Sequence, residues 1–138
     1  MNDTYEKLIY DFIVKNKLQN NVFLYGVCTD ITNILAQVNI GVLSSESEGL
    51  PVALLEYGKE GLPIVATDVG ECSSVIEHQK NGLLVPAKDN TSLAIALMSL
   101  IDKPNKAKQI GEKIKIHIED QYTELSVINK VVRLYQSL

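Results

Sequence analysis

The chain has 138 residues, 46% of them hydrophobic and 22% charged, enough to bury one sizeable core and too few for two domains of ordinary size. Its net charge of -4, with lysines scattered rather than gathered into a stripe, offers no long-range attraction for a polyanion and argues against nucleic acid as a partner. No stretch approaches the roughly 20 apolar residues that cross a bilayer, and the acidic, helically interrupted start MNDTYEKLIYDF does not read as an export signal, so the expected setting is soluble and cytoplasmic.

In chain order, Tyr5, Leu8, Ile9, Phe12 and Ile13 recur at helical spacing after the candidate caps Asp3 and Thr4, predicting an amphipathic helix that ends before Asn20-Asn21. Val22 to Tyr25 reads as a short strand closed by Gly26, and Thr29 or Asp30 caps a helix running to about Gln37. Asn39 to Leu43 is apolar without alternation, the pattern of a strand buried on both faces. After the loop Ser44–Gly49, Pro51 suits a helix's first turn, and Gly61 followed by Pro63 supplies the stop. Ile64–Ala66 is a second buried strand, Cys72–Glu77 a short helix, and Leu83–Val85 a strand bounded by Asn81-Gly82 and Pro86. Asp89, Pro104 and Glu124 then open three successive helices. Strand-helix repetition of this kind calls for a parallel sheet with helices on both faces and right-handed crossovers, a three-layer Rossmann-like α/β fold.

Cys28 and Cys72 lie far apart without a CxxC, and His78 and His117 sit in unrelated segments, so no metal-ligand spacing is present. Both thiols read as reduced and structural, both histidines as ordinary, and no metal or cofactor is expected. A small signalling domain of the same pattern would need acids clustered at strand ends, whereas these strands lead into Gly26, Ser44 and Thr67.

In an open parallel sheet, ligands bind beyond the carboxyl ends of the strands. The segment Ser44-Ser45-Glu46-Ser47-Glu48-Gly49-Leu50-Pro51 follows a buried strand and opens a helix whose free N–H groups and positive dipole end suit a phosphate. Glu48 precedes that helix and Glu56 lies in its second turn, so both carboxylates can face one pocket. Beside a diphosphate they would repel it, which makes sense only if they are aimed at neutral hydroxyls, as on a ribose and a hexose. Spacing alone leaves open that both are plain solvated helix acids.

The longer string Ser45-x-x-Glu48-Gly49-Leu50-Pro51-x-x-Leu54-Leu55-Glu56, then Gly61-Leu62-Pro63-Ile64-Val65-Ala66-Thr67-Asp68-x-Gly70, then Asn81-Gly82-Leu83-Leu84-Val85-Pro86 resembles the donor-binding domain of GT-B fold, family 4-type glycosyltransferases. The resemblance extends over nearly the whole chain and implies a single partial domain, residues 1–138, the C-terminal nucleotide-sugar-binding half. It implies that Glu48 meets the donor sugar at the catalytic centre, positioning it rather than acting as a general base. Gly49, Leu50 and Pro51 would face sugar and diphosphate, Leu54 and Leu55 would lie where the helix start meets the phosphates, and Glu56 would bind the ribose. Val27 falls where the family's backbone meets the nucleobase. The implied reaction is retaining transfer of a hexose from a nucleotide-diphosphate donor to a hydroxyl acceptor in polysaccharide or glycolipid biosynthesis, with the full-length enzyme peripheral at the inner membrane face.

The chain departs from the family pattern at Glu71, often a second glycine, and at Tyr57, often a smaller residue. By the same comparison it begins after the first two strands and after an Arg and a Lys that clamp the diphosphate, and it lacks the acceptor-binding domain. Alone it is therefore expected to be inactive, requiring that domain in cis or in trans; the alternative reading is a non-catalytic fragment or split subunit. With the family's central strands absent, the Val22 strand should move toward the Asn39 strand, or exposed sheet edges should drive self-association.

Overall fold

The computed structural model describes residues 3–136. The chain forms two compact units, Met1–Ile31 and Thr32–Leu138.

In the first unit, helix α1 (Asp3–Lys15) follows the predicted periodicity. It ends where Lys17 turns to φ 57°, the left-handed conformation that closes many helices, and the Asn16 side chain donates to the Phe12 carbonyl at 2.8 Å. Residues 22–25 form no strand. Their apolar run followed by glycine satisfies the local pattern, but a strand exists only when a neighbour takes up its N–H and C=O groups, and no strand pairs with them among the described residues.

The second unit holds the sheet. After a short helix α2 (Ile31–Leu35), β1 (Gly41–Leu43), β2 (Ile64–Thr67) and β3 (Leu83–Val85) form a parallel three-stranded sheet in the order β1-β2-β3, with Val42 opposite Val65 and Ala66 opposite Leu84. Between and after the strands come α3 (Val52–Lys59), α4 (Cys72–Val75), α5 (Asn90–Ile101), α6 (Pro104–Gln121) and α7 (Glu124–Gln136). Every residue of β2 is buried because it has a strand on each side and helices on each face. Ile64 and Ala66 pack with Leu54, Cys72, Val75, Ile114 and Ile118 on one face, while Val65 packs with Leu83, Val85, Ala96, Leu100 and Ile110 on the other. Complete burial of Ile64 and Val65 stabilises the fold by about 1.5–3 kcal/mol per side chain.

Helix α6 serves both layers, with Ala107 and Ile110 in one core and Ile114 and Ile118 in the other. It approaches α3 closely because Gly58 has no side chain: a Cβ there would stand 2.6 Å from Ile118 Cγ1. Helix α4 is shorter than the predicted Cys72–Glu77 because Ile76 turns extended, at φ -110° and ψ 116°. Buried Asn81 stabilises the reversal that follows, accepting from the Glu77 N–H at 2.8 Å and donating to the Val75 carbonyl. His78 has a structural role: its Nδ1 accepts the Leu84 N–H of the edge strand β3 at 3.0 Å. Cys72 is buried and Cys28 half-buried, both as free thiols, and burial pushes the Cys72 thiol upward, away from the reactive thiolate.

Asp89 caps α5 as the sequence predicts, its carboxylate accepting from the Ser92 N–H at 2.9 Å and from the Ser92 hydroxyl at 2.6 Å. These bonds to Ser92 hold its carboxyl below the usual 3.8. The cap therefore contributes fully above that value and is lost as pH falls through the lowered folded pKa. Asp89→Ala is expected to lower the urea midpoint at neutral pH, with the difference from the parent shrinking below about pH 4; equal midpoints at pH 7 would contradict the cap.

Candidate functional site

The carboxyl ends of the three strands lead into Ser44, Asp68 and Pro86, and the loop from Ser44 to Pro51 carries the chain from β1 into α3. Pro51 is the N-cap of α3, not its first helical residue, and makes no side-chain capping bond. The amides of Val52 and Ala53 meet no backbone acceptor among the described residues, whereas that of Leu54 donates to the Pro51 carbonyl at 3.0 Å. The helix thus presents open N–H groups and its positive dipole end at the carboxyl edge of the sheet, an arrangement suited to an anion.

Within the loop, Glu48 is half-buried and Gly49 exposed, and a Cβ at Gly49 would meet nothing within 4 Å. Leu50 is also exposed, and Pro51 is buried. The Ser45 hydroxyl donates to Glu48 Oε1 at 2.5 Å. The Ser45 carbonyl in turn accepts from Thr67 Oγ1 on β2 at 2.6 Å. Gly70 sits at φ 51°, and an added Cβ would overlap the Glu48 carbonyl. The Glu71 N–H donates to the Gly49 carbonyl at 3.2 Å. The last residue of β2 through its side chain, and the segment after β2 through its main chain, therefore brace the loop after β1.

Along α3 the expected site residues separate. Leu54 is fully buried in the core, and Leu55 is half-buried against it, so neither side chain is turned out to a ligand and Leu54 has also spent its amide on Pro51. Glu56 is exposed on the helix. Next to it, Tyr57 lies half-buried over Gly41; burial, and secondarily the Glu56 charge, raise its phenol pKa. Val27 belongs to the first unit, where it is 90% exposed just after Gly26.

A cavity of about 110 Å³ opens at the strand ends, walled by Ser44, Glu46, Thr67, Lys88 and Asn90 among others. Lys88 bridges to Glu46 at 3.0 Å across it, an exposed pair of small energetic weight. Sequence reading passed over this pair and the Thr67–Ser45 bond; the blocks around Ser45, Thr67 and Gly70 contained the residues but no signal of their mutual contact. Among the described residues no group of three or more His, Cys, Asp and Glu side chains could hold a metal ion, and no helix is long and apolar enough to cross a membrane.

A parallel sheet layered by helices on both faces, with a free helix end at its carboxyl edge, is the Rossmann-like C-terminal domain architecture of GT-B glycosyltransferases. Residues 2–117 match the family model of glycosyl transferases group 1, and the chain belongs to that family. It is 31% identical over 136 residues to the UDP-Gal:alpha-D-GlcNAc-diphosphoundecaprenol alpha-1,3-galactosyltransferase of Escherichia coli, covering 98% of this chain and 34% of that protein. It is 30% identical over 136 residues to the poly(ribitol-phosphate) alpha-N-acetylglucosaminyltransferase of Staphylococcus aureus, covering 98% of this chain and 27% of that one. The fold superposes on the crystal structure of Anabaena HepE in complex with UDP with a TM-score of 0.92 at 22% identity, covering 98% of this chain and 37% of the other. The chain thus spans about a third or less of the length of the curated relatives it matches.

Proposed function

We propose that the chain binds a nucleotide-diphosphate sugar, as the donor half of a retaining family 4-type glycosyltransferase that transfers a hexose to a hydroxyl acceptor in polysaccharide or glycolipid assembly. The observation that carries this reading is the uncapped start of α3 at the carboxyl edge of the sheet, reached through the Glu48–Pro51 turn, in a chain of this family. In it the open amides of Val52 and Ala53 receive the diphosphate and stabilise the charge that develops on it as the sugar leaves. Gly49 leaves room for the sugar, Glu48 positions the sugar's hydroxyls, and Glu56 takes the ribose. Leu54 and Leu55 act by fixing the helix in place. Nucleotide binding energy orients the bond that breaks, and the reading requires no metal. A nucleobase contact at Val27 and a cytoplasmic setting at the inner membrane face belong to the same reading and rest on the family resemblance.

Glu56→Ala is expected to weaken nucleotide binding by about 1–3 kcal/mol, roughly 5- to 150-fold in Kd. Calorimetric titration with UDP, GDP and ADP measures this and identifies the base; unchanged affinity in the variant would contradict the ribose assignment.

A second reading, a subunit completed by a separately encoded acceptor-binding domain, is favoured by α7, which buries none of its residues and exposes Leu125, Ile128, Val131 and Tyr135. Sugar transfer that appears only on mixing the two chains would distinguish it from an inert fragment.

A further inference from the structure

Glu48 has a carboxylate that must present one oxygen to a substrate hydroxyl, yet it sits on an irregular loop rather than on a helix or strand. Two bonds join it to the buried central strand of the sheet. Thr67 lies on the central strand β2 and is 4% exposed, so its hydroxyl has to find a partner within the protein. Its single proton goes to the Ser45 carbonyl at 2.6 Å, since the alternative, the Leu43 carbonyl, is 3.5 Å away. Ser45, fixed by that bond, donates its own hydroxyl to Glu48 Oε1 at 2.5 Å. Oε1 thereby takes one hydrogen bond from within the loop, while Oε2 accepts none among the described residues.

We propose that Ser45 and Thr67 are positioning residues for Glu48, forming a relay from the central strand that aims its free carboxylate oxygen at the donor sugar. This rests on the reading of Glu48 as the sugar contact. Neither residue touches the donor; Thr67 acts through Ser45, and Ser45 through Glu48. The relay explains why a threonine is buried at the end of an otherwise apolar strand, where valine would fill the same space without a polar group to satisfy. It also predicts a division of effects that general damage to the fold would not produce. Contacts to base, ribose and diphosphate should be indifferent to the relay, and only the contribution of the sugar should respond.

The test is calorimetric titration of the full chain with UDP, GDP and ADP and with their glucose conjugates. It reads the ratio of the two dissociation constants, with and without glucose, for the base that binds. Ser45→Ala and Thr67→Val are expected to weaken binding of the glucose conjugate about 3- to 10-fold relative to the bare diphosphate. Affinity for the bare diphosphate should change less than about twofold, which also certifies that the variants are folded. Ser45→Thr and Thr67→Ser, which keep the hydroxyls, should restore the parent ratio, and Glu48→Gln should lower it at least as far as Ser45→Ala. If Glu48→Gln lowers the ratio while Ser45→Ala and Thr67→Val leave it unchanged, the relay is overturned and the role of Glu48 stands. If Glu48→Gln leaves the ratio unchanged, the sugar-contact reading fails and the relay with it.

Discussion

Gly70→Ala is expected to destabilise the chain by about 2–5 kcal/mol and to abolish the sugar-nucleotide binding proposed for it. Two separate costs add. At φ 51° an L-residue carries the left-handed penalty of about 1–2 kcal/mol. The new Cβ would also overlap the Glu48 carbonyl and crowd the Gly49 carbonyl at 3.3 Å; the obstructing atoms are backbone, so relief requires the whole loop to move, at about 1–3 kcal/mol. That loop is the proposed sugar-binding turn, so the movement that relieves the clash dismantles the site. Gly26 supplies the internal control: it has a comparable φ of 64° but nothing within 4 Å of an added Cβ. Gly26→Ala should show the conformational cost alone. Urea unfolding of the two variants, compared at equal m-values, separates the terms, and a Gly70→Ala loss no larger than that of Gly26→Ala would mean that the brace on Glu48 is not tight.

What was legible in the sequence was whatever a local pattern encodes. The unbroken apolar run around Val65 marks a strand buried on both faces, although the similar run at Gly41–Leu43 becomes an edge strand with Val42 exposed, and the Asp89 carboxylate marks the start of α5 because capping is decided within a few residues. The segment 22–25 has the same local credentials and fails as a strand, since pairing depends on a partner that the segment itself does not specify. The site divides along the same line. The exposure of Gly49 and the opening of α3 beyond Pro51 follow from turn chemistry. The bond from Thr67 to Ser45 and the pair of Lys88 with Glu46 join strand ends far apart in the chain, and a threonine at a strand end or an acid in a loop is unremarkable until the fold brings its partner alongside. Leu54 and Leu55, placed by motif at the start of the helix, pack their side chains against a core that only the fold assembles.

Leu54 consequently carries the second large effect, and it tests whether binding at α3 depends on the core beneath it. The helix spans eight residues, of which only Leu54 and Gly58 are buried, so this one side chain is its principal anchor to Ile64, Ala66, Val75 and Ile114. Truncation to alanine leaves a cavity between α3, α6 and β2 that these tightly packed neighbours cannot collapse to fill, at an expected cost of about 2–5 kcal/mol in urea unfolding. Leu54→Met conserves volume and should cost less than about 1.5 kcal/mol. Because the loss falls on one short helix, amide exchange in α3 should accelerate more than in α5, whose Leu100 lies in the opposite core. A saturating nucleotide that binds the start of α3 should restore part of the lost stability by mass action. If exchange accelerates equally in both helices, the defect is global and α3 has no independent anchor; if it accelerates in α3 alone and the nucleotide slows it again, the first turn of this helix is where the ligand sits.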